Sequence, residues 1–188
     1  MKHRVNYLKI IVIVHGKSEL CLVRYIKSNL KIKMEIISSK NGKNPIQITS
    51  LKNILNNLDF KSSKNFLKKF YDIEHIKDKL LNFKLFIIMD TDDCPNKKKD
   101  SYLTKKMFKD HWLSKYIIPI YNINNLEDVM SKCNIKITRK KDYITIFPIN
   151  RNELDIEQIK NFSIKIKQFK QYTNLNEFID YCIKICEE

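Results

Sequence analysis

Short apolar runs alternate with amphipathic stretches along this chain. Four of the runs, residues 8–14, 32–37, 84–89 and 116–121, have the length and the β-branched content of strands. The first and third are almost continuously apolar, which is typical of parallel strands covered on both faces. Pro119 interrupts the fourth run and has no backbone N–H, so we expect that strand at a sheet edge or at a bulge.

Helical patterns fill the intervals between these runs. After the first run, apolar residues recur at the spacing of one helix face, at Leu20, Val23, Ile26 and Leu30. Further helices are predicted over about 48–58, 63–82, 101–111, 152–171 and 174–187, and another begins in NNLEDVMSKC with an Asn at its cap. The alternation predicts an α/β fold: a mostly parallel sheet of about four strands flanked by helices. We expect this domain to span residues 1–150, with a helical C-terminal extension, residues 151–188, packed on it.

The charge balance favours a polyanionic partner. The chain has 36 Lys and Arg against 21 Asp and Glu, a net charge of +15, and a surplus of this size concentrates nucleic acid near the surface. A coding bias towards Lys, Ile and Asn would also produce a high lysine content. Only four of the basic residues are Arg, the side chain that reads guanine and phosphate with two hydrogen bonds. The composition therefore predicts nucleic-acid binding without base readout.

No apolar run approaches the roughly 20 residues that cross a bilayer. The basic N-terminus MKHRVNYLKIIVIVHG has the polarity of a signal peptide, but its apolar part is brief, has no small-residue cleavage site and leads into a turn. We interpret it as a buried strand and expect a cytoplasmic protein with no membrane contact.

The stretch IVIVHGKSEL contains GKS, which ends the phosphate-binding P-loop of nucleotide hydrolases. That motif, GxxxxGK[ST], needs glycine at both ends of its loop. Five residues before Gly16 stands Ile11, in the middle of the predicted first strand. No open glycine-rich loop can form there, so a P-loop is excluded and HGKSE is a sharp turn from strand to helix.

Acidic residues follow three of the predicted strands. The carboxyl ends of parallel strands lie at one edge of a sheet, where ligands gather. We therefore expect these acids, together with the imidazole that follows the first strand, to face one crevice: His15, Glu19, Asp90, Asp92, Asp93, Glu127 and Asp128.

The run DTDD directly follows the apolar FIIM. Neighbouring carboxylates beside a low-dielectric sheet repel each other, and Mg²⁺ or Mn²⁺, which prefer oxygen ligands, relieve that repulsion. In an extended segment Asp90 and Asp92 project to one side and can bind the same ion, with Asp93 adjacent. The alternative is a solvated acidic turn in which Asp93 or Asp100 caps a helix.

Together, IVIVHGKSE and FIIMDTDD resemble the two motifs of the topoisomerase–primase (Toprim) domain, above all its small versions in overcoming-lysogenization-defect nucleases and related phage-defence proteins. In that family one hydrophobic strand ends in an EG turn, often followed by [ST][DE], and a later strand ends in DxD. The resemblance covers about residues 7–132. It implies a Rossmann-like fold and a Mg²⁺- or Mn²⁺-dependent nuclease or other phosphoryl-transfer activity on nucleic acid, with a role in phage defence. It also implies a protein partner, because small Toprim proteins often belong to larger systems.

Matched position by position, the resemblance makes Asp90 and Asp92 the metal-binding pair and Glu19 a further ligand. Glu127 would supply the acid that the defence nucleases often carry after the next strand. His15 replaces the glutamate to which the family assigns proton transfer or metal binding. An imidazole can take either role, or it can mark a site that has lost catalysis.

Four lysines near these motifs are candidate phosphate contacts: Lys17, Lys97, Lys98 and Lys99. Each of them is equally compatible with a solvated loop. Five aromatic residues in the C-terminal part recur at roughly helical spacing and are predicted to be packing residues rather than base-stacking platforms. They are Phe162, Phe169, Tyr172, Phe178 and Tyr181.

Three other functions compete with the nuclease. The first is a catalytically inactive Toprim-like module that binds nucleic acid or a partner protein. Haloacid-dehalogenase-type phosphatases also use DxD, but after their first strand, and nucleotide-sugar transferases use DxD to hold Mn²⁺ but have larger domains.

Overall fold

The computed structural model describes residues 6–137, 142–148 and 154–188. Its strands are β1 (Ile10–Val14), β2 (Met34–Ile37), β3 (His75–Ile76), β4 (Lys79–Leu80), β5 (Lys84–Asp90) and β6 (Ile117–Asn122). Its helices are α1 (Lys17–Leu30), α2 (Leu51–Leu55), α3 (Ser63–Lys69), α4 (Asn96–Leu103), α5 (Leu126–Lys132), α6 (Asp142–Ile146), α7 (Ile156–Lys167) and α8 (Leu175–Glu187). Short 3₁₀ turns lie at Ser39–Gly42, Ile48–Ser50 and Lys106–Phe108.

A four-stranded parallel sheet in the order β2-β1-β5-β6 forms the centre of the molecule. The predicted α/β class, parallel sheet and C-terminal helical region are confirmed. In register, Val14 of β1 lies beside Ile88 of β5, and Asp90 of β5 lies beside Asn122 of β6. The chain leaves β1 towards one edge of the sheet and leaves β5 towards the other. The order therefore reverses between β1 and β5, and such a switch point opens a crevice at the carboxyl ends of the strands.

Both faces of the sheet are buried, which explains the continuous apolar runs. One face, with Val12, Phe86 and Ile120, packs against α1 and α5 to α8. The other face, with Ile13 and Ile87, packs against the segment that runs from residue 46 to residue 83 and against residues 102–116. All five residues of β1 are buried, so the N-terminal run is a central strand, as its composition predicts.

The edge position predicted for Pro119 is confirmed, since β6 closes one side of the sheet. The C-terminal segment covers this edge. The Asn174 side chain accepts a hydrogen bond from the Tyr121 N–H at 2.9 Å and donates one to the Pro119 carbonyl at 3.0 Å. Covering of this kind satisfies backbone groups that an edge strand would otherwise expose.

The C-terminal aromatic residues are packing residues, as predicted. Phe162 and Phe178 are buried in the core, and the rest pack against it partly buried: Phe169, Tyr172 and Tyr181. Helices α7 and α8 thus belong to the core that covers one face of the sheet. Among the described residues, no helix has the length and apolar character needed to cross a membrane.

The helix predicted over 63–82 is wrong in its second half. Helix α3 ends at Lys69, and β3 and β4 form a hairpin whose turn includes Lys77 at a φ of 52°. The pattern misled because Ile73 and Leu80, both buried, stand seven residues apart, a spacing that helices share.

The helix predicted over 101–111 begins and ends too late. Helix α4 starts directly after Pro95 and ends at Leu103, and Lys105 has a φ of 61°. Tyr102 is the one buried residue of this helix, so almost no apolar periodicity marks it in the sequence.

Candidate active site at the carboxyl end of the sheet

Asp90 ends β5 at the centre of the carboxyl rim, by which we mean the carboxyl ends of β1, β5 and β6 with the first turns of α1 and α5. Its side chain is 9% exposed. Burial and the neighbouring Glu19 charge raise its pKa to about 8, and Glu127 adds to this effect. The hydrogen bond from Asn122 and the charge of His15 act in the opposite direction. Charged groups of the β1–α1 turn, α1 and α5, together with an amide of β6, therefore act on this carboxyl.

Asn122 holds the Asp90 carboxyl in place. Its amide nitrogen donates to Asp90 Oδ1 at 3.0 Å, and its amide oxygen lies 3.0 Å from the Thr173 hydroxyl, which also lies 2.8 Å from the Tyr121 carbonyl oxygen. Asn122 is fully buried, and the orientation of its amide follows from the Asp90 carboxylate, which accepts from the amide nitrogen. The C-terminal segment thereby supports the site through Thr173.

Glu19 lies in the first turn of α1 and is 1% exposed. Its Oε2 accepts a hydrogen bond from the Gly16 N–H at 2.8 Å. This contact is half of a capping box and, with the helix dipole, explains why a carboxylate is stable in this position. Glu19 therefore has a structural role as a cap in addition to its proximity to Asp90.

Glu127 reaches the same rim from α5. The Ser18 hydroxyl donates to Glu127 Oε1 at 2.7 Å, which links the first turns of α1 and α5. Tyr143 of α6 is buried beside this pair, and burial together with the Glu127 charge raises its pKa. The Tyr143 hydroxyl lies close to the Ser18 and Glu127 side chains, and both of them act on its pKa.

His15 follows β1 and is half-buried. Its Nδ1 lies 2.9 Å from the carbonyl oxygen of Ile46, and its backbone carbonyl accepts a hydrogen bond from the Ile46 N–H at 2.7 Å. A carbonyl oxygen only accepts, so Nδ1 must carry the proton. In the neutral ring Nε2 is then the atom with a lone pair.

The segment 39–46 covers the turn between β1 and α1. Gly42 has a φ of 77°, and a Cβ at this position would lie 2.9 Å from Lys17 Cα and 3.1 Å from the Gly16 carbonyl carbon. Lys40 and Asn41 precede it, also with positive φ, an arrangement that costs energy for residues with a side chain. The two glycines of the whole chain therefore meet at this turn.

Asp92 and Asp93 are exposed, in contrast to Asp90. Asp92 Oδ1 accepts a hydrogen bond from the Asp93 N–H at 2.9 Å, as in an acidic turn. The charges that perturb the Asp90 pKa come from Glu19, His15 and Glu127. The structure thus brings Asp90 together with the acids of the two helices, while Asp92 and Asp93 lie on the solvent side of the rim.

The four candidate lysines lie on two elements. Lys17 is half-buried in the first turn of α1, directly under Gly42. Lys97, Lys98 and Lys99 lie in the first turn of α4, which follows DTDDCP, and the first two are exposed. Both groups are close in sequence to the acids of the rim.

The donor chemistry of this rim fits a divalent cation. Carboxylates and an imidazole are the ligands that such ions take, and the Asp90 carboxyl lies buried among other acids. Each of three donors is oriented by a hydrogen bond: Asp90 by Asn122, Glu127 by Ser18 and His15 by Ile46. Within residues 6–137, 142–148 and 154–188, no three His, Cys, Asp or Glu side chains have the spacing of a formed ligand cluster. A bound cation would have to draw these side chains closer.

Reasoning from the sequence missed several groups that support this rim. Asn122 could have been identified from its position, because it ends the fourth predicted strand as Asp90 ends the third. Gly42 could have been identified as well, since it is one of two glycines in 188 residues. Nothing in the sequence points to the Ile46 carbonyl or to Tyr143, because both reach the site through tertiary contacts.

Comparisons of the chain with protein-family models, with curated proteins and with solved structures found no match.

Proposed function

We propose that this protein is a Toprim-like nuclease, or a related phosphoryl-transfer enzyme, that acts on nucleic acid with the aid of Mg²⁺ or Mn²⁺. The observation that carries this proposal is the convergence of Asp90, Glu19, Glu127 and His15 on the crevice at the switch point of a parallel sheet. Ligands of α/β proteins bind in such crevices.

The carboxyls of the rim are the groups that would hold the cation. Asp90 ends the central strand, and its orientation is fixed by Asn122. Glu19 and Glu127 approach from the two helices, and Asp92 and Asp93 would join only from the solvent side. When bound, the cation would activate a water and neutralise the leaving oxygen of a phosphodiester.

The lysines around this rim favour a polyanionic substrate. Lys17 lies in the turn itself, and the neighbouring segment adds the exposed Lys40 and Lys43. Lys97 and Lys98 flank the other side of DTDD. With a net charge of +15, these side chains would bind phosphates through electrostatic attraction that depends on salt and not on base sequence.

The alternative function is a catalytically inactive Toprim-like module that binds nucleic acid or a partner protein. His15, in place of the family glutamate, is the residue that favours it. Under either function, a role in phage defence as one component of a larger system is part of the proposal and rests on the resemblance of the two motifs.

A nuclease assay with Mg²⁺ and with Mn²⁺ on single- and double-stranded DNA and RNA tests the proposal. We expect the wild-type chain to cleave at least one of these substrates and Asp90→Ala to lose about 10³-fold in rate, since a catalytic cation supplies several kcal/mol. Asp72→Ala is the matched control, because Asp72 lies at the opposite end of the sheet, where its carbonyl accepts from Leu8.

Binding of nucleic acid without cleavage in any metal would overturn the enzyme and favour the inactive module.

If the wild type cleaves, the variants Asp92→Ala and Asp93→Ala show whether the two exposed acids belong to the metal site. A loss similar to that of Asp90→Ala would place these exposed acids in the metal site, and rates near wild type would confine it to Asp90, Glu19 and Glu127.

A further inference from the structure

The hydrogen bonds of His15 point to a specific role for its ring. Nδ1–H donates to the Ile46 carbonyl, which leaves Nε2 as the acceptor, and the His15 backbone N–H donates to the Ile88 carbonyl at 2.9 Å, two residues before Asp90. Histidines that bind metals almost always donate their other ring N–H to a carbonyl or a carboxylate. Histidines that act as general bases are typically backed by a carboxylate, which stabilises the imidazolium. The partner of His15 is a neutral carbonyl.

We infer that His15 Nε2 is a ligand of the proposed cation, so that the site prefers a first-row transition metal over Mg²⁺. This inference rests on the proposed function, because it concerns the same site. Imidazole binds first-row transition metals well and Mg²⁺ poorly, whereas an all-carboxylate site suits Mg²⁺. An imidazole in place of the family glutamate would change the metal and leave the site competent to bind one.

The segment 39–46 positions this ligand. Ile46 bonds both the backbone and the ring of His15, and Gly42 seats the segment on the backbone of Gly16 and Lys17. A side chain at Gly42 cannot be accommodated without moving that segment, since its Cβ would contact main-chain atoms. Gly42 is therefore a positioning residue for His15, although it has no ligand atom of its own.

Pulsed EPR of Mn²⁺ added to the metal-free, full-length chain tests this inference directly. Mn²⁺ is the weakest binder of the first-row series, so it is a stringent probe, and its electron spin detects a coordinated ¹⁴N. We expect imidazole ¹⁴N coupling in the wild type and none in His15→Glu, which keeps an oxygen donor for the ion. His75→Ala is the matched control, because His75 also has Nδ1 2.9 Å from a backbone carbonyl but lies in the β3–β4 hairpin.

Competition between Mg²⁺ and Mn²⁺, followed by the EPR signal of free Mn²⁺, gives a second measurement. We expect His15→Glu to lower the preference for Mn²⁺ by about tenfold. Gly42→Ala should weaken Mn²⁺ binding by about 10- to 100-fold, as the loss of an orienting contact does, and should reduce the ¹⁴N coupling.

Two results would overturn the inference: bound Mn²⁺ without ¹⁴N coupling in the wild type, or coupling that persists in His15→Glu. Either would leave the proposed metal-dependent nuclease intact with oxygen ligands alone. If neither Mn²⁺ nor Mg²⁺ binds the wild-type chain, the metal-dependent function fails together with this inference. The two failures are therefore distinguishable.

Discussion

At the amino end of the sheet Asp72 pairs with Lys33, whereas at the carboxyl rim Asp90 lies buried among Glu19 and Glu127. The hydrogen bond from Lys33 lowers the pKa of Asp72, while burial and Glu19 raise that of Asp90 to about 8. Asp90 ends the central strand β5, and Asp72 lies near the start of the central strand β1, where its carbonyl accepts from the Leu8 N–H. They differ in their hydrogen-bond partner: that of Asp72 is the Lys33 ammonium group, and that of Asp90 is the neutral Asn122 amide.

The amino end, by which we mean the region where β1, β5 and β6 begin, is held by hydrogen bonds between groups of the protein. The Leu8 N–H donates to the Asp72 carbonyl at 2.9 Å, and the Leu80 N–H donates to the Tyr116 hydroxyl at 2.8 Å. The carboxyl rim instead concentrates acids that destabilise one another when they are ionised. Like charges brought together at the expense of stability are typical of a functional site. The described acids at the two ends therefore differ in their neighbours: Asp72 has a lysine partner, and Asp90 has other acids beside it.

The largest effect we predict is on the metal-free chain. Asp90 has a folded pKa of about 8 against an ordinary value of 3.8. Between these pH values the folded chain keeps a proton that the unfolded chain has released, so the free energy of unfolding falls as pH rises through this window. Asp90→Asn should remove this dependence and stabilise the metal-free chain by about 3–5 kcal/mol at pH 8.5.

Urea denaturation in EDTA from pH 5 to pH 9 measures this effect. Mn²⁺ should stabilise the wild type at high pH and leave Asp90→Asn unchanged, because a cation can bind only after the carboxyl has lost its proton. A wild type whose stability is flat over this range would show that the two ends of the sheet do not differ as proposed.

The second effect compares the two glycines of the β1–α1 turn. Gly42→Ala should destabilise the fold by about 2–4 kcal/mol, because φ is 77° and the new Cβ would contact Lys17. Gly16→Ala should cost less than about 1 kcal/mol, since its φ of −147° suits any residue and its Cβ would meet only Glu19 Oε2 at 3.4 Å. Thermal unfolding of both variants measures the difference, and equal losses would contradict the packing described for segment 39–46.

The sequence was informative about this molecule wherever burial is uniform. Strands β1 and β5 are covered on both faces and therefore appear as unbroken apolar runs, and the rule that parallel strands end at one edge placed His15 beside Asp90. The apolar pattern failed at the β3–β4 hairpin, because Ile73 and Leu80 are seven residues apart, a spacing that also occurs on one face of a helix. Asp92 shows a further limit of the sequence pattern. Side chains two residues apart project to the same side only within a continuous strand, and β5 ends at Asp90.

The support for the site could not be derived from local patterns. The chain from Thr173 through Asn122 to Asp90 joins residues up to 83 positions apart, since the hydrogen bonds span 51 and then 32 residues. The bond between His15 and Ile46 uses a backbone carbonyl, which any residue carries. Contacts of this kind are set by the tertiary packing and have no residue-type signature.

The third prediction concerns the amino end. Tyr116→Phe should destabilise the fold by about 1–3 kcal/mol, because it leaves the buried Leu80 N–H without its acceptor. Chemical denaturation measures the loss, and Mn²⁺ affinity should stay at the wild-type value. A change in Mn²⁺ affinity would mean that the two ends of the sheet are coupled.

The smallest effect is expected for Asp72→Asn. The lowered pKa of Asp72 means that its contribution is fully present above the ordinary value of 3.8 and is lost as pH falls through the folded pKa. Its side chain and that of Lys33 are about one-third exposed, so solvent screens the pair, and the loss at neutral pH should be below about 1 kcal/mol. Urea denaturation at low and high salt should show this difference shrinking as salt rises. A loss of several kcal/mol, or one that salt does not change, would show that Asp72 is as strongly coupled to its surroundings as the buried Asp90. The difference between the two ends of the sheet would then no longer support a metal site at the carboxyl rim.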